Sequence, residues 1–144
     1  MKKCLVTAIF VVGLAVFAAG CGGQGDSANH HDLTVLSGPV FVAQLTELAY
    51  NSREFVGDTI LIRGEYIVLH DDDDKTACQH FILNFDAAGC CPLMLRFRLS
   101  DTLCPEGFPE VLDVIKVFGE MRAHVVDGRT LYHYIAAESM EIVN

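Results

Sequence analysis

The sequence contains no apolar run long enough to span a bilayer. Its longest, Leu5 to Ala19, has fifteen residues without a charge, whereas a spanning helix needs about 20. The phrases G-x-S-x-G, H-E-x-x-H and the P-loop are also missing, so nothing marks a hydrolase nucleophile, a zinc peptidase or a phosphate cradle. There is no C-x-x-C pair, which disfavours thioredoxin-type redox chemistry. The carboxylates cluster in loops instead of framing a cleft, and the chain reads as a protein that is not an enzyme. Basic residues are few: 10 Lys and Arg stand against 19 Asp and Glu. Phosphate backbones and anionic lipid surfaces repel such a chain, so no nucleic acid is expected as a partner. No segment repeats at a solenoid period.

The N-terminus carries the clearest signal. Lys2 and Lys3 precede the apolar run, as in a secretory signal peptide. The junction Phe17-Ala18-Ala19-Gly20-Cys21-Gly22 resembles the bacterial lipobox, in which small residues precede a cysteine that is acylated before cleavage. Residues 1–20 are therefore expected to be a lipoprotein signal peptide and Cys21 the lipidated N-terminus. The alternatives are a plain secretory cleavage that leaves Cys21 as an ordinary thiol, or an uncleaved anchor. The expected location is the extracytoplasmic face of a cell membrane, with the membrane held through the lipid anchor. Without Lys2 and Lys3, eight basic residues remain against 19 acidic ones. The lipid, not charge, must then hold the protein to the bilayer.

Residues 21–32 are small and polar and read as a flexible tether. Residues 33–144 are enough for a single modest core. Ser37-Gly38-Pro39 reads as a helix start, with Ser37 as candidate cap, and Phe41, Leu45, Leu48 and Ala49 follow at near-helical spacing. Thr59 to Leu69 reads as a long bent strand with Gly64 inside it, and His80 to Phe85 as a second strand. A turn at Asp86-Ala87-Ala88-Gly89 leads to Met94 to Leu99, where apolar and basic residues alternate. Val114 to Met121 resumes the strand pattern, and Asp127-Gly128 is a two-residue hairpin turn. Thr130 to Ala136 and Met140 to Val143 follow. The fold expected is mainly β: a small five- to six-stranded OB-like barrel with one N-terminal helix, in meander-like order. Gly64 and Gly119 occupy the same phrase, x-Arg/Phe-Gly-Glu, which fits two strands that coil sharply to close a barrel.

Several phrases together carry a family likeness. They are Phe55-Val56-Gly57-Asp58-Thr59-Ile60, Asn84-Phe85-Asp86-Ala87-Ala88-Gly89-Cys90-Cys91, Ile115-Lys116-Val117-Phe118-Gly119 and Tyr132-His133-Tyr134-Ile135-Ala136. The chain resembles a group of small uncharacterised bacterial lipoproteins with OB-like barrels and a D-A-x-x-C-C phrase. A fainter likeness extends to the soluble domain of permease-associated proteins that carry a Cys-Cys pair. The resemblance implies fold and location and brings no established activity.

The domain cysteines are Cys78, Cys90, Cys91 and Cys104. Outside the cytoplasm they read as one or two disulfides, with three complete pairings open. Cys90 with Cys91 is the least favoured pair, because neighbours on a strand point to opposite faces. One thiol is then expected inside the barrel and one outside, unless a local break after Gly89 turns both to one side. The same residues offer a soft-metal site for zinc or copper from Cys90, Cys91, His80 and Cys78. His80 and Cys78, however, fall toward the far end of the hairpin from Cys90.

The run His70-Asp71-Asp72-Asp73-Asp74-Lys75 lacks EF-hand spacing and reads as a solvated loop tip. His30-His31-Asp32 reads as a chance pair in the tether, and His124 and His133 as a surface pair facing each other across the last hairpin. The function expected is a membrane-anchored extracytoplasmic binding or accessory module for an unknown protein or small ligand. The alternative is a metal-handling lipoprotein that uses Cys90 and Cys91 with zinc or copper as its ion. Otherwise no cofactor is expected.

Overall fold

The computed structural model describes residues 28–70, 78–86, 88–99 and 108–143. The signal segment, Cys21, the acidic run 71–75 and Cys104 lie outside the described residues. Within them the chain forms β1 (His30–Asp32), α1 (Gly38–Tyr50), β2 (Thr59–His70), β3 (Cys78–Phe85), β4 (Pro92–Leu99), β5 (Val114–Val126) and β6 (Arg129–Ile142). No helix among these residues is long and apolar enough to cross a membrane.

Period-two alternation builds the barrel. On β2 the residues Ile60, Ile62, Gly64 and Tyr66 are buried while Arg63 is exposed. On β5 the inward set is Ile115, Val117, Gly119 and Met121. Strands β2 to β6 close in the order β2-β3-β4-β6-β5 and back to β2, which is the OB-like plan. The meander-like order is corrected here. β4 pairs with β6 in parallel, and β5 lies between β6 and β2. A parallel pair needs a crossover of roughly a dozen residues or more, and β5 with its flanking segments provides it. The ladder from Thr59↔Glu120 to Glu65↔Val114 then seats the two glycine-bearing strands side by side.

β1 is a second correction. His30 to Asp32, read as the end of a tether, pair in parallel with Thr59 to Leu61. Polar contacts invisible to hydropathy hold them: His31 Nε2 lies 2.9 Å from Asp58 Oδ2, and His30 Nδ1 3.0 Å from Thr59 Oγ1. Helix α1 starts where Ser37 and Pro39 placed it, but the Ser37 side chain makes no capping hydrogen bond. Leu45 and Leu48 are fully buried and join the barrel core.

β6 runs unbroken where the sequence suggested two pieces. A register shift pairs Phe118 with Ser139 but Gly119 with Ala137, so Glu138 is the extra residue of a bulge. At the hairpin tip, Asp127 and Gly128 both have positive φ (50° and 75°), as a type I′ turn requires.

Candidate functional site

Two neighbouring surfaces concentrate chemistry. The first is the tip of the β3–β4 hairpin. The ladder ends at Phe85↔Pro92, and Asp86 to Cys91 close the loop. The Asp86 amide donates to the Cys91 carbonyl at 3.0 Å, and the Gly89 amide to the Asp86 carbonyl at 3.0 Å. Gly89 takes φ 69°, a left-handed value that suits glycine. The Asp86 carboxylate completes the turn, with Oδ1 accepting from the amides of Cys90 at 3.1 Å and Cys91 at 3.3 Å.

This collar lifts both cysteines off the strand, so the expected alternation of their faces is corrected. Cys90 and Cys91 are both exposed and free, with their sulfurs 3.5 Å apart. Cys90 Sγ lies 3.6 Å from Asp86 Oδ2. Any loss of solvent would raise the Asp86 pKa, yet the two amides hold it below the usual carboxylate value. The Cys91 thiol is pushed up by its contact with Cys90 and by the Asp86 carboxylate beside it.

The other proposed ligands are elsewhere. Cys78 is disulfide-bonded. It pairs in register with His70 at the opposite end of β3 from Phe85. His80 is the only buried polar residue among those described, and its Nδ1 lies 2.8 Å from the Tyr66 hydroxyl. The structure thus brings together Cys90 and Cys91, leaves out Cys78 and His80, and adds Asp86.

The second surface is the outer face of β4 and β6. Arg96 and Arg98 project outward, alternating with the buried residues Leu95 and Phe97. Their guanidiniums sit over tyrosine rings, Arg96 at 3.9 Å from the Tyr132 centroid and Arg98 at 4.9 Å from that of Tyr134. Arg98 also donates to the Tyr132 hydroxyl, and Arg96 approaches the Phe81 ring at 5.2 Å. His124 stacks on Tyr132 with centroids 4.7 Å apart. Register places His124 opposite Tyr132 and His133 opposite Ala123. The two histidines therefore do not face each other, and His133 instead meets Ser52 at 3.0 Å.

Among the described residues, no carboxylate lies within ion-pair distance of Arg96 or Arg98, whereas Arg122 and Lys116 pair with Glu120 and Glu141. Sequence reading saw the alternating arginines of β4 but not this surface. The signal was present in Tyr132-x-Tyr134, which puts both rings on one face. What was hidden is the parallel β4–β6 pairing that brings the rings to the arginines. The chain matches no protein-family model, no curated protein and no solved structure.

Proposed function

We propose that the protein is a lipid-anchored extracytoplasmic binding module that recognises a carboxylate-bearing ligand through Arg96, Arg98, Tyr132 and Tyr134. The carrying observation is the pair of arginines held over tyrosine rings with no carboxylate partner among the described residues. What sets these two arginines apart is that both guanidiniums stack on tyrosine rings on one sheet face. Stacking on an aromatic face orders the guanidinium; Arg96 spends one Nη donor on Gln79 Oε1 and Arg98 one on the Tyr132 hydroxyl, and the remaining N–H donors of each can meet a carboxylate. Ordering the side chains before binding lowers the entropy lost in the complex. The lipobox-like junction and the likeness to small bacterial lipoproteins support the anchored location. The missing catalytic phrases support binding over turnover.

Tyrosine fluorescence and anisotropy titration with labelled poly-glutamate and polygalacturonate test the reading. Salt-sensitive binding of at least one polymer is expected, reduced at least tenfold in an Arg96→Ala/Arg98→Ala variant that melts like wild type. No binding, or binding indifferent to the double substitution, sinks it.

A further inference from the structure

We propose that Asp86, Cys90 and Cys91 form a three-donor binding site for zinc(II) with an open fourth position. The inference does not rest on the proposed function above.

The spacing of the donors carries the argument. A tetrahedral zinc with Zn–S of about 2.3 Å and Zn–O of about 2.0 Å holds two sulfurs about 3.8 Å apart and a sulfur and an oxygen about 3.5 Å apart. Here the two sulfurs are 3.5 Å apart, and Cys90 Sγ is 3.6 Å from Asp86 Oδ2. All three donor atoms lie within 4.8 Å of one another. The two edges that meet at Cys90 Sγ are thus within a few tenths of an ångström of what the ion imposes, the third, from Cys91 Sγ to the Asp86 oxygen, is no longer than 4.8 Å, and rotations of the exposed side chains suffice to close the set. A disulfide, by contrast, requires the sulfurs to approach to about 2.05 Å.

The backbone orders the site for this use. Gly89 turns the chain with φ 69°, and Asp86 Oδ1 is occupied by the amides of Cys90 and Cys91. Oδ2 is left on the thiol side as a single oxygen donor. Such outer hydrogen bonds orient a ligating carboxylate. The donor set also selects the metal. Copper(I) favours thiolate and thioether sulfur, while a carboxylate oxygen beside two thiolates suits the borderline-soft zinc ion.

Loading breaks the S–H bonds of Cys90 and Cys91 and forms two Zn–S bonds, and the two protons leave to water. No electron is transferred. Cys90 and Cys91 are exposed, so the fourth position faces solvent and is open to water or to a donor from another molecule. That sets it apart from a structural zinc site, which is closed by four protein ligands.

The test uses the full chain in detergent under reducing conditions, titrated with zinc against a chromophoric chelator and separately with cobalt(II). One zinc per chain and a thiolate-to-cobalt charge-transfer band are expected. Cys90→Ser and Cys91→Ser each weaken zinc binding at least tenfold, and Asp86→Asn weakens it while the thermal midpoints stay near wild type. Undiminished zinc binding in a Cys90→Ser/Cys91→Ser variant places the ion elsewhere and overturns the proposal. So does a wild-type chain that binds no zinc, or one that takes copper(I) in its place.

Discussion

Tyr66 and His80 are joined by a 2.8 Å hydrogen bond across the barrel interior, on neighbouring strands whose rings lie nearly parallel, 20° apart. Phe108 stacks on His80 at 4.2 Å between centroids and lies 6.1 Å from the Tyr66 ring. Burial holds the His80 pKa below its ordinary 6.5, assisted by the positive charge of His70, and pushes the Tyr66 hydroxyl up to about 12. Tyr66 is the polar partner of His80, so the pair remains neutral in the folded protein near pH 7.

The linkage sign follows. Between the lowered folded value of His80 and 6.5 the unfolded chain binds a proton that the folded chain refuses, so stability rises with pH there. The contribution is complete above 6.5 and is lost as pH falls below it. Urea midpoints measured at pH 7.5 and 5.5 are expected to drop at the lower pH in wild type, and to drop less in His80→Gln. Tyr66→Phe removes the only hydrogen-bond partner of His80 among the described residues and is expected to cost about 1–3 kcal/mol at pH 7.5. Equal midpoints at both pH values in wild type rule out the buried histidine as an acid trigger.

Gly64 and Gly119 give a second prediction, with a changed reason. Both face inward, and neither has a positive φ. What excludes a side chain is the neighbouring strand. A Cβ at Gly119 would come inside 3.0 Å of the Ala136 carbonyl and the Ala137 Cα. At Gly64 it would meet the Asn84 side chain, an Ile82 methyl and the Leu83 carbonyl oxygen. Overpacking of this kind typically costs about 1–3 kcal/mol. Gly119→Ala is expected to destabilise more than Gly64→Ala, because all its neighbours are backbone atoms that cannot rotate away. Thermal midpoints within error of wild type for both variants would show that the strands can separate there.

These glycines show how far the sequence reaches. Alternation placed β2, β4 and β5, and Asp127-Gly128 placed the last turn, because inward apolar residues and positive-φ preferences are local. The β4–β6 pairing is a contact between segments far apart in the chain, and no local pattern encodes it. β1 escaped because His30, His31 and Asp32 are polar and are held by Asp58 and Thr59. At Cys90 and Cys91 the strand rule failed because the Asp86 carboxylate captured both amides, an interaction that hydrophobic periodicity does not register. The Asp-x-x-x-Cys-Cys spacing was its only trace.

Lipidation follows from the Cys21 reading. Metabolic labelling with a fatty-acid analogue is expected to mark the wild-type chain and to leave Cys21→Ser unmarked and unprocessed. Label retained in Cys21→Ser refutes the assignment.

The last prediction concerns the thiols. Cys78 is disulfide-bonded while Cys90 and Cys91 are free, although all three are expected in the same oxidising compartment. Alkylation without reductant, followed by peptide mapping, is expected to label Cys90 and Cys91 and to leave Cys78 blocked. The fragment joined to Cys78 is expected to contain neither of the adjacent pair. The two kinds of cysteine also differ energetically. Cys78→Ser releases a constraint on the unfolded chain and is expected to cost about 2–4 kcal/mol. Cys90→Ser and Cys91→Ser change exposed side chains on a loop and are expected to shift stability by less than about 0.5 kcal/mol. A fragment that joins Cys78 to either adjacent cysteine overturns the assignment, because each of those sulfurs belongs to a loop at the opposite end of β3.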